Sequence, residues 1–301
     1  MIDASSARRP RALEVLAALG WYAFTPVEVL ALAFIVGSVA VAAFFHVQVG
    51  RFLWTAMSLS ALLVVVSVAV VRITRLDPTF GRWLAGMSLT FCIYAALPPW
   101  LEGLAGAPID PLLEWSERAV LGTTLAQLIE PYVNDGWTLF WGLAYSLHVP
   151  LFFALPLLHH RAGRRARAER LVLTLALAMY LGFVGYVLFP ALGPVGTISG
   201  LRLLGSNVAT DAVATYGVAL GTFPSLHAGV CSAVAIDAWR TSRRLGVAFT
   251  LVAALIWGST IYLRYHWLPD LLAGLLLVLV ADALVRLRLV AWGQGGLKAE
   301  G

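Results

Sequence analysis

The side chains best suited to chemistry lie in two short segments of an otherwise apolar sequence. The first segment covers residues 221–227 (GTFPSLH), and the second covers 266–270 (HWLPD). His227 and His266 are 39 residues apart, and two membrane crossings joined by a tight turn need about 40 residues. The spacing therefore predicts that both histidines lie on the same membrane face, where they and Asp270 would suit phosphoryl transfer at the membrane surface.

Each segment has a local pattern that favours binding an anion or activating an imidazole. Pro224 suits an early helical position, so the free backbone N–H groups of residues 225–227 would face an anionic phosphate, and the Ser225 hydroxyl would add a donor. His266 and Asp270 are four residues apart on one face of a helix start. A carboxylate at that position can hold the tautomer of the imidazole and stabilise its cationic form.

Other polar residues receive a different interpretation. Two histidines and a carboxylate also match the facial triad of a metal site, but the sequence offers no further ligand cluster, so we expect no metal and no other cofactor. A histidine near a membrane interface is more often a packing residue than a catalyst. We give this interpretation to the remaining polar residues of the apolar spans and their ends, which are His46, Tyr145, Ser146, His148, His159 and His160.

The composition defines the fold class. Of 301 residues, 60% are hydrophobic and only 12% are charged, against about 25% charged residues in soluble domains. We therefore expect an all-α, polytopic membrane helix bundle. Eight apolar segments are long enough to span a membrane, at about 27–45, 52–71, 83–100, 137–158, 171–190, 224–239, 245–263 and 267–287.

The basic residues are distributed unevenly among the loops. If the N-terminus is cytoplasmic, 17 of the 21 basic residues lie on that side, and the other four are Arg51, Arg118, Arg202 and Arg264. Because cytoplasmic loops retain positive charge, this predicts a multi-pass cell-membrane protein with its histidine site on the extracytoplasmic face. The net charge of +5 thus reflects topology, and no nucleic-acid partner is expected. At the cytoplasmic helix ends, Asp237 and Asp282 are expected to pair with Arg240 and Arg286, respectively.

The chain is expected to have four parts. Residues 1–100 form N-terminal transmembrane helices, 101–136 an extracytoplasmic amphipathic segment, 137–290 a catalytic membrane core and 291–301 a tail. The amphipathic segment is expected to lie on the membrane surface or to cap the bundle. A second long outer connection, 190–223, is rich in glycine, and both connections are candidates for excluding water from the site.

The residues around the two histidines resemble motifs of the type 2 phosphatidic acid phosphatase superfamily. Residues 224–227 (PSLH) are similar to its second motif, Pro-Ser-x-His, and residues 266–270 to the His-x-x-x-Asp that ends its third. Within the superfamily, FPSLHAG at 223–229 and STIYLRYH at 259–266 resemble the branch of fungal inositol phosphorylceramide synthases. The resemblance covers mainly residues 170–290.

This resemblance implies a six-helix catalytic core and a metal-independent mechanism. It implies that His266 is the nucleophile that forms a phosphohistidine, that Asp270 orients it and that His227 is the acid for the leaving oxygen. The superfamily's first motif, a Lys followed by an Arg-Pro pair, is missing, and Thr260 replaces the usual arginine of the third. The outer arginines Arg264 and Arg202 are therefore the candidates for binding phosphate, because neither has an evident carboxylate partner nearby in sequence.

The expected function is a phosphoryl transfer from a phospholipid or another lipid phosphate to an alcohol such as inositol or another polyol. The protein is expected to be surrounded by membrane lipids. The alternative is a phosphatase acting on phosphatidic acid, phosphatidylglycerol phosphate or an isoprenoid diphosphate. A lipid transporter is the non-enzymatic alternative. A transporter would carry charged residues along a path at mid-membrane, whereas here the polar cluster lies at one face.

Overall fold

The computed structural model describes residues 25–44, 77–104, 106–207 and 218–287, together with the single positions 54, 58, 210, 211 and 213. Within these residues all regular secondary structure is helical, apart from an isolated β-bridge between Ala191 and Gly221. The prediction of an all-α membrane bundle is confirmed. The helices are numbered in chain order as α1 (Pro26–Phe44), α2 (Pro78–Ala96), α3 (Pro98–Leu104), α4 (Asp110–Leu121), α5 (Leu125–Ile129), α6 (Asp135–Ser146), α7 (His148–Arg161), α8 (Arg165–Leu188), α9 (Pro194–Thr197), α10 (Leu226–Trp239), α11 (Arg243–Tyr262) and α12 (Leu268–Arg286).

The helices match the predicted spans closely where the chain is described. By length and composition, α1, α8, α11, α12 and the consecutive pair α6–α7 are each apolar enough to cross a membrane. The predicted spans at 83–100 and 224–239 correspond to α2 and α10. The predicted span at 52–71 lies outside the described residues except for two positions. The chain is a multi-pass membrane protein.

The predicted span at 137–158 is two helices rather than one. α6 ends at Ser146 and α7 begins at His148. Pro150 explains the break, because proline lacks the N–H that would bond the Ser146 carbonyl and its ring clashes with that carbonyl in a continuous helix. The break places Pro150 in the first turn of α7, where no such bond is needed.

α10 lies at the centre of the bundle, packed against α7, α8, α11 and α12. It begins one residue after Ser225, whose Oγ accepts the backbone N–H of Ala228 at 3.3 Å. A serine cap of this kind satisfies one of the unpaired N–H groups of the first turn. The prediction that Pro224 is an early helical residue is therefore wrong, since Pro224 precedes the cap.

The helix ends that carry Asp237 and Asp282 pair differently from the prediction in one respect. Asp282 accepts hydrogen bonds from both Arg286 and Arg240 at 2.9–3.0 Å. The expected Asp282–Arg286 pair is thus confirmed, and the expected Asp237–Arg240 pair is wrong. Asp237 instead bonds the buried His159 at 2.6 Å. The cause is that Arg240, directly after the end of α10, bonds Asp282 on α12, and the spacing along one helix cannot show a partner on another helix.

Glycines allow α10 and α12 to approach each other at the ends that carry the histidine motifs. A Cβ on Gly274 would collide with the Ser225 carbonyl oxygen, and one on Gly229 would lie 2.8 Å from the Gly274 carbonyl oxygen. This approach allows the Ser225 N–H to donate to the Asp270 carbonyl at 3.0 Å. The start of one motif helix is thus tied directly to the start of the other.

We expect Gly274→Ala to lower both thermal stability and activity, because the added methyl group forces α12 away from Ser225. Overpacking of this kind costs about 1–3 kcal/mol. Gly37→Ala is the matched control, since Gly37 lies in α1 and a methyl group added there would meet no described atom within 4 Å. Thermal unfolding and turnover of both variants test the point, and equal behaviour of the two would contradict it.

Candidate active site

Asp270 is fully buried and links the start of α12 to the His266 ring. Its Oδ2 accepts the Trp267 N–H at 2.9 Å and lies 3.3 Å from His266 Nδ1. Pro269 occupies the second position of α12, where an N–H would have no partner in the helix. The carboxylate therefore faces the imidazole from within the first helical turn, and the His266 Nδ1–H is its natural donor.

His266 in turn contacts His227, so the two histidine segments meet as the spacing predicts. His227 Nδ1 lies 3.1 Å from His266 Nε2. If His266 gives its Nδ1 proton to the bond with Asp270, its Nε2 carries a lone pair, and His227 Nδ1–H donates to it. This arrangement leaves a buried imidazole with an unprotonated nitrogen directed at a second imidazole, which is the geometry of a nucleophile beside a proton donor.

Tyr145 and His148 join this cluster, although the sequence analysis assigned both to packing. The Tyr145 hydroxyl lies 2.8 Å from His227 Nε2, and the His148 ring packs edge-on against the His227 ring with centroids 4.6 Å apart. His148 Nδ1 donates to the Tyr145 carbonyl at 2.6 Å. A signal was present in the sequence, since YSLHVP places three polar side chains immediately before a proline inside an apolar span.

An apolar cavity of about 250 Å³ opens beside His227. Its polar end is formed by Tyr145, His148 and His227, with Tyr94 and Tyr186 among its walls. The rest of its lining is hydrophobic or weakly polar and comes from α2, α7, α8 and α10. Such a cavity suits a hydrocarbon chain whose polar end reaches the histidines.

Two buried carboxylates of the segment 101–136 support the loops around the site. Asp110, at the start of α4, accepts the N–H groups of Leu192 and Gly193 and the Trp267 indole N–H, all at 2.8–2.9 Å. Glu117, further along α4, accepts the Leu268 N–H at 3.0 Å. Burial raises the pKa of Glu117, and the backbone N–H groups oppose that rise. Both acids thus connect α4 to the segment that carries His266.

The predicted phosphate-binding arginines are engaged elsewhere. Neither has a carboxylate partner nearby in sequence, but the fold supplies one, because Glu130 serves both. Arg264, buried and with a φ of 62°, bonds Glu130 at 2.6 Å, while Arg202 Nε lies 3.6 Å from the same carboxylate. Burial lowers the pKa of Arg264, and Glu130 opposes that change. Glu130 precedes Arg264 by 134 residues, so neighbouring sequence could not reveal the pair.

Ser225 lies next to the cluster, but its polar groups form structural hydrogen bonds within α10 and to α12. Its side-chain oxygen caps α10, its N–H bonds Asp270, and the residue is completely buried. Among the described residues, no group of three or more His, Cys, Asp or Glu side chains is arranged to hold a metal ion. The groups at the polar end of the cavity are therefore the His148 and His227 imidazoles and the Tyr145 phenol. His266 contacts His227, and the Asp270 carboxylate contacts His266.

The fold and the site together define a class: multi-pass membrane enzymes with a carboxylate-supported histidine pair at the starts of adjacent helices. The family model of the PAP2 superfamily matches residues 127–284, and the chain belongs to this superfamily. The match includes α6 and α7, and with them Tyr145 and His148.

Three curated relatives are similar to this chain. Inositol phosphorylceramide synthase catalytic subunit AUR1 of Saccharomyces cerevisiae is 37% identical over 73 residues, covering 24% of this chain and 18% of the relative. Inositol phosphorylceramide synthase of Candida albicans is 29% identical over 105 residues, covering 35% and 22%. Phosphoinositol dihydroceramide synthase of Bacteroides thetaiotaomicron is 24% identical over 225 residues, covering 64% and 74%.

The match therefore spans only about a fifth of the length of the two fungal relatives. It spans about three quarters of the bacterial one. No solved structure matches the chain.

Proposed function

We propose that this protein transfers a phosphoryl head group from a lipid-linked phosphate to an alcohol through a phosphohistidine on His266. The observation that carries the proposal is the hydrogen-bonded series Asp270, His266, His227, whose last member lines the polar end of an apolar cavity. His227, His266 and Asp270 are the proposed catalytic residues. The uneven distribution of arginines supports an extracytoplasmic site in the cell membrane.

In the first proposed step, His266 Nε2 attacks phosphorus and the bond from phosphorus to the lipid's leaving oxygen breaks. His227 gives its Nδ1 proton to that oxygen. In the second step, the acceptor hydroxyl gives its proton to His227 and attacks phosphorus, and the phosphorus–nitrogen bond breaks. Asp270 stabilises the positive charge that the His266 ring gains in between.

The cavity beside His227 supports a donor with a hydrocarbon chain. A chain in this cavity would place its phosphate at the polar end beside His227, whose Nδ1 faces His266. The segment 101–136 and the loop at 190–223 would cover this end and limit access of water, because α4 is bonded through Asp110 and Glu117 to the loop and to the start of α12.

The alcohol acceptor is favoured over water by the relatives. All three are named as synthases of a phosphoinositol-containing ceramide lipid. A transferase needs its intermediate shielded, because water is present at about 55 M, and a positioned alcohol can compete through effective molarities of about 10⁵ M or more. Inositol or another polyol and the hydroxyl of a second lipid are the proposed acceptors. A lipid phosphate phosphatase, with water as acceptor, is the alternative.

Product analysis separates these two functions. Purified protein in lipid vesicles is incubated with phospholipid and lipid-phosphate donors, each with inositol, glycerol, sugars or a ceramide as acceptor. With a phospholipid donor and a ceramide acceptor we expect a phosphodiester lipid as the main product, and with a polyol acceptor we expect its phosphate ester; both are detected by mass spectrometry and both should be lost in His266→Ala. Inorganic phosphate as the only product across the panel would reject the transferase and leave the phosphatase.

Ser225, Arg264 and Arg202 remain the proposed phosphate-binding residues, and Arg264 is the strongest of them. Its guanidinium would have to exchange Glu130 for a phosphate oxygen when substrate enters. Arg264 Nε is buried with no hydrogen-bond partner among the described residues, so this donor is available without breaking a bond. Guanidinium groups match phosphate oxygens in geometry and charge.

Arg264→Gln and Glu130→Gln distinguish phosphate binding from a structural ion pair. Both changes remove the same salt bridge, so both are expected to lower the melting temperature. If Arg264 binds phosphate, only Arg264→Gln should also raise KM and lower kcat, about tenfold or more in kcat/KM. Equal kinetic losses in the two variants would show that Arg264 serves the structure alone.

A further inference from the structure

Among the described residues, Tyr145 is the one whose hydroxyl bonds a proposed catalytic nitrogen. Its ring is buried, and its oxygen lies 2.8 Å from His227 Nε2. The other nitrogen of the same ring, Nδ1, faces His266 Nε2 at 3.1 Å. Each ring nitrogen of His227 therefore has a different partner: Nε2 faces the Tyr145 phenol, and Nδ1 faces the proposed site of phosphoryl transfer.

We propose that Tyr145 is a positioning residue that keeps the proton of neutral His227 on Nε2, so that Nδ1 alone exchanges protons with the reacting oxygens. The proposal rests on the proposed function, in which His227 is first an acid and then a base. The proposal gives Tyr145, at the end of α6, a role in catalysis in addition to its packing contacts.

The proton balance shows why this tautomer matters. Cationic His227 carries protons on both nitrogens and gives the Nδ1 proton to the leaving lipid oxygen as the phosphorus–oxygen bond breaks. The neutral ring that remains must then have its proton on Nε2, donated to the Tyr145 oxygen, and a lone pair on Nδ1. That lone pair takes the proton of the acceptor hydroxyl in the second step, which restores the cation. A phenol suits this task because its oxygen accepts from Nε2–H in both states.

The local structure holds Tyr145 in place for this bond. His148, in the first turn of α7, donates its Nδ1–H to the Tyr145 carbonyl at 2.6 Å. The His148 ring then packs against the Tyr145 ring, with centroids 4.8 Å apart, as well as against His227. Tyr265 closes the other side, with its ring centroid 5.3 Å from that of Tyr145.

Several titratable groups face His227 and enter any pH profile of the enzyme. His266 approaches from the segment before α12, with Asp270 behind it. The others, from α2, α6, α7 and α8, are Tyr94, Tyr145, His148 and Tyr186. Tyr145→Phe removes one hydroxyl from this set and keeps the aromatic ring, so packing against His148 is preserved.

The test compares Tyr145→Phe with the control Tyr265→Phe in the full-length protein. Tyr265 packs on Tyr145, but its hydroxyl makes no hydrogen bond to His227 or His266 in the structure. Two donors are used: a phospholipid, whose leaving oxygen is an alkoxide, and a 4-nitrophenyl ester of an alkyl phosphate, whose leaving group needs no proton. Rapid-quench measurements give the rates of phosphoenzyme formation and breakdown.

With the phospholipid, we expect Tyr145→Phe to lower kcat about 10- to 100-fold at nearly unchanged KM, within the range of general acid–base effects. With the nitrophenyl donor, phosphoenzyme formation should proceed at the wild-type rate while breakdown stays slow. His227→Ala should share this dependence on the leaving group. The alkaline limb of kcat/KM should move to lower pH, because the cationic ring loses an acceptor. Tyr265→Phe should match the wild type.

Equal losses with both donors, or an unchanged pH profile, would overturn the proposal and leave the proposed function standing. If wild-type protein forms no histidine-bound phosphorus at all, the proposed function fails and this inference fails with it. If the Tyr145→Phe protein does not fold, the same measurements are made on protein with 3-fluorotyrosine at position 145. Fluorine weakens the oxygen as an acceptor without changing the packing, so the alkaline limb should again move to lower pH, and an unchanged limb would overturn the proposal.

Discussion

The close approach of the starts of α10 and α12 is the constraint on which the rest of the structure depends. The two histidines are brought together because Gly229 and Gly274 leave room for backbone contact, and because the Ser225 N–H donates to the Asp270 carbonyl. In an apolar environment an unpaired N–H costs several kcal/mol, so this single bond strongly favours one register of the two helices. His227 and His266 then face each other at 3.1 Å.

Buried acids extend this constraint outward from the bundle. Asp110 and Glu117 on α4 accept N–H groups from the loop at 190–193 and from the start of α12. Glu130 performs the same task for Arg264. Asp110 and Glu117 are buried, and in low dielectric a paired charge is held strongly whereas an unpaired one is costly. The segment 101–136 and the histidine loop are thereby one hydrogen-bonded unit, which explains how the loop before α12 holds a defined geometry.

Much of this architecture could be predicted because it depends on short-range patterns. Apolar runs of spanning length identify the helices, and the spacing of 39 residues places His227 and His266 on one face. The remainder depends on contacts that no local pattern encodes. Tyr145 meets His227 across 82 residues, Glu130 meets Arg264 across 134 residues, and Arg240 crosses to α12 to bond Asp282. The preference of Pro224 for a first helical turn is strong, but the adjacent serine is the better cap and the helix begins after it.

The central claim is that His266 carries the phosphoryl group between donor and acceptor. It is tested most directly by quenching the purified protein during turnover of a donor labelled in its phosphate and locating the label by mass spectrometry of the digested chain. The account predicts a labelled peptide phosphorylated on His266, formed and broken down more slowly in His227→Ala and absent in His266→Ala. Turnover retained by His266→Ala, or a label found on another residue, would contradict it.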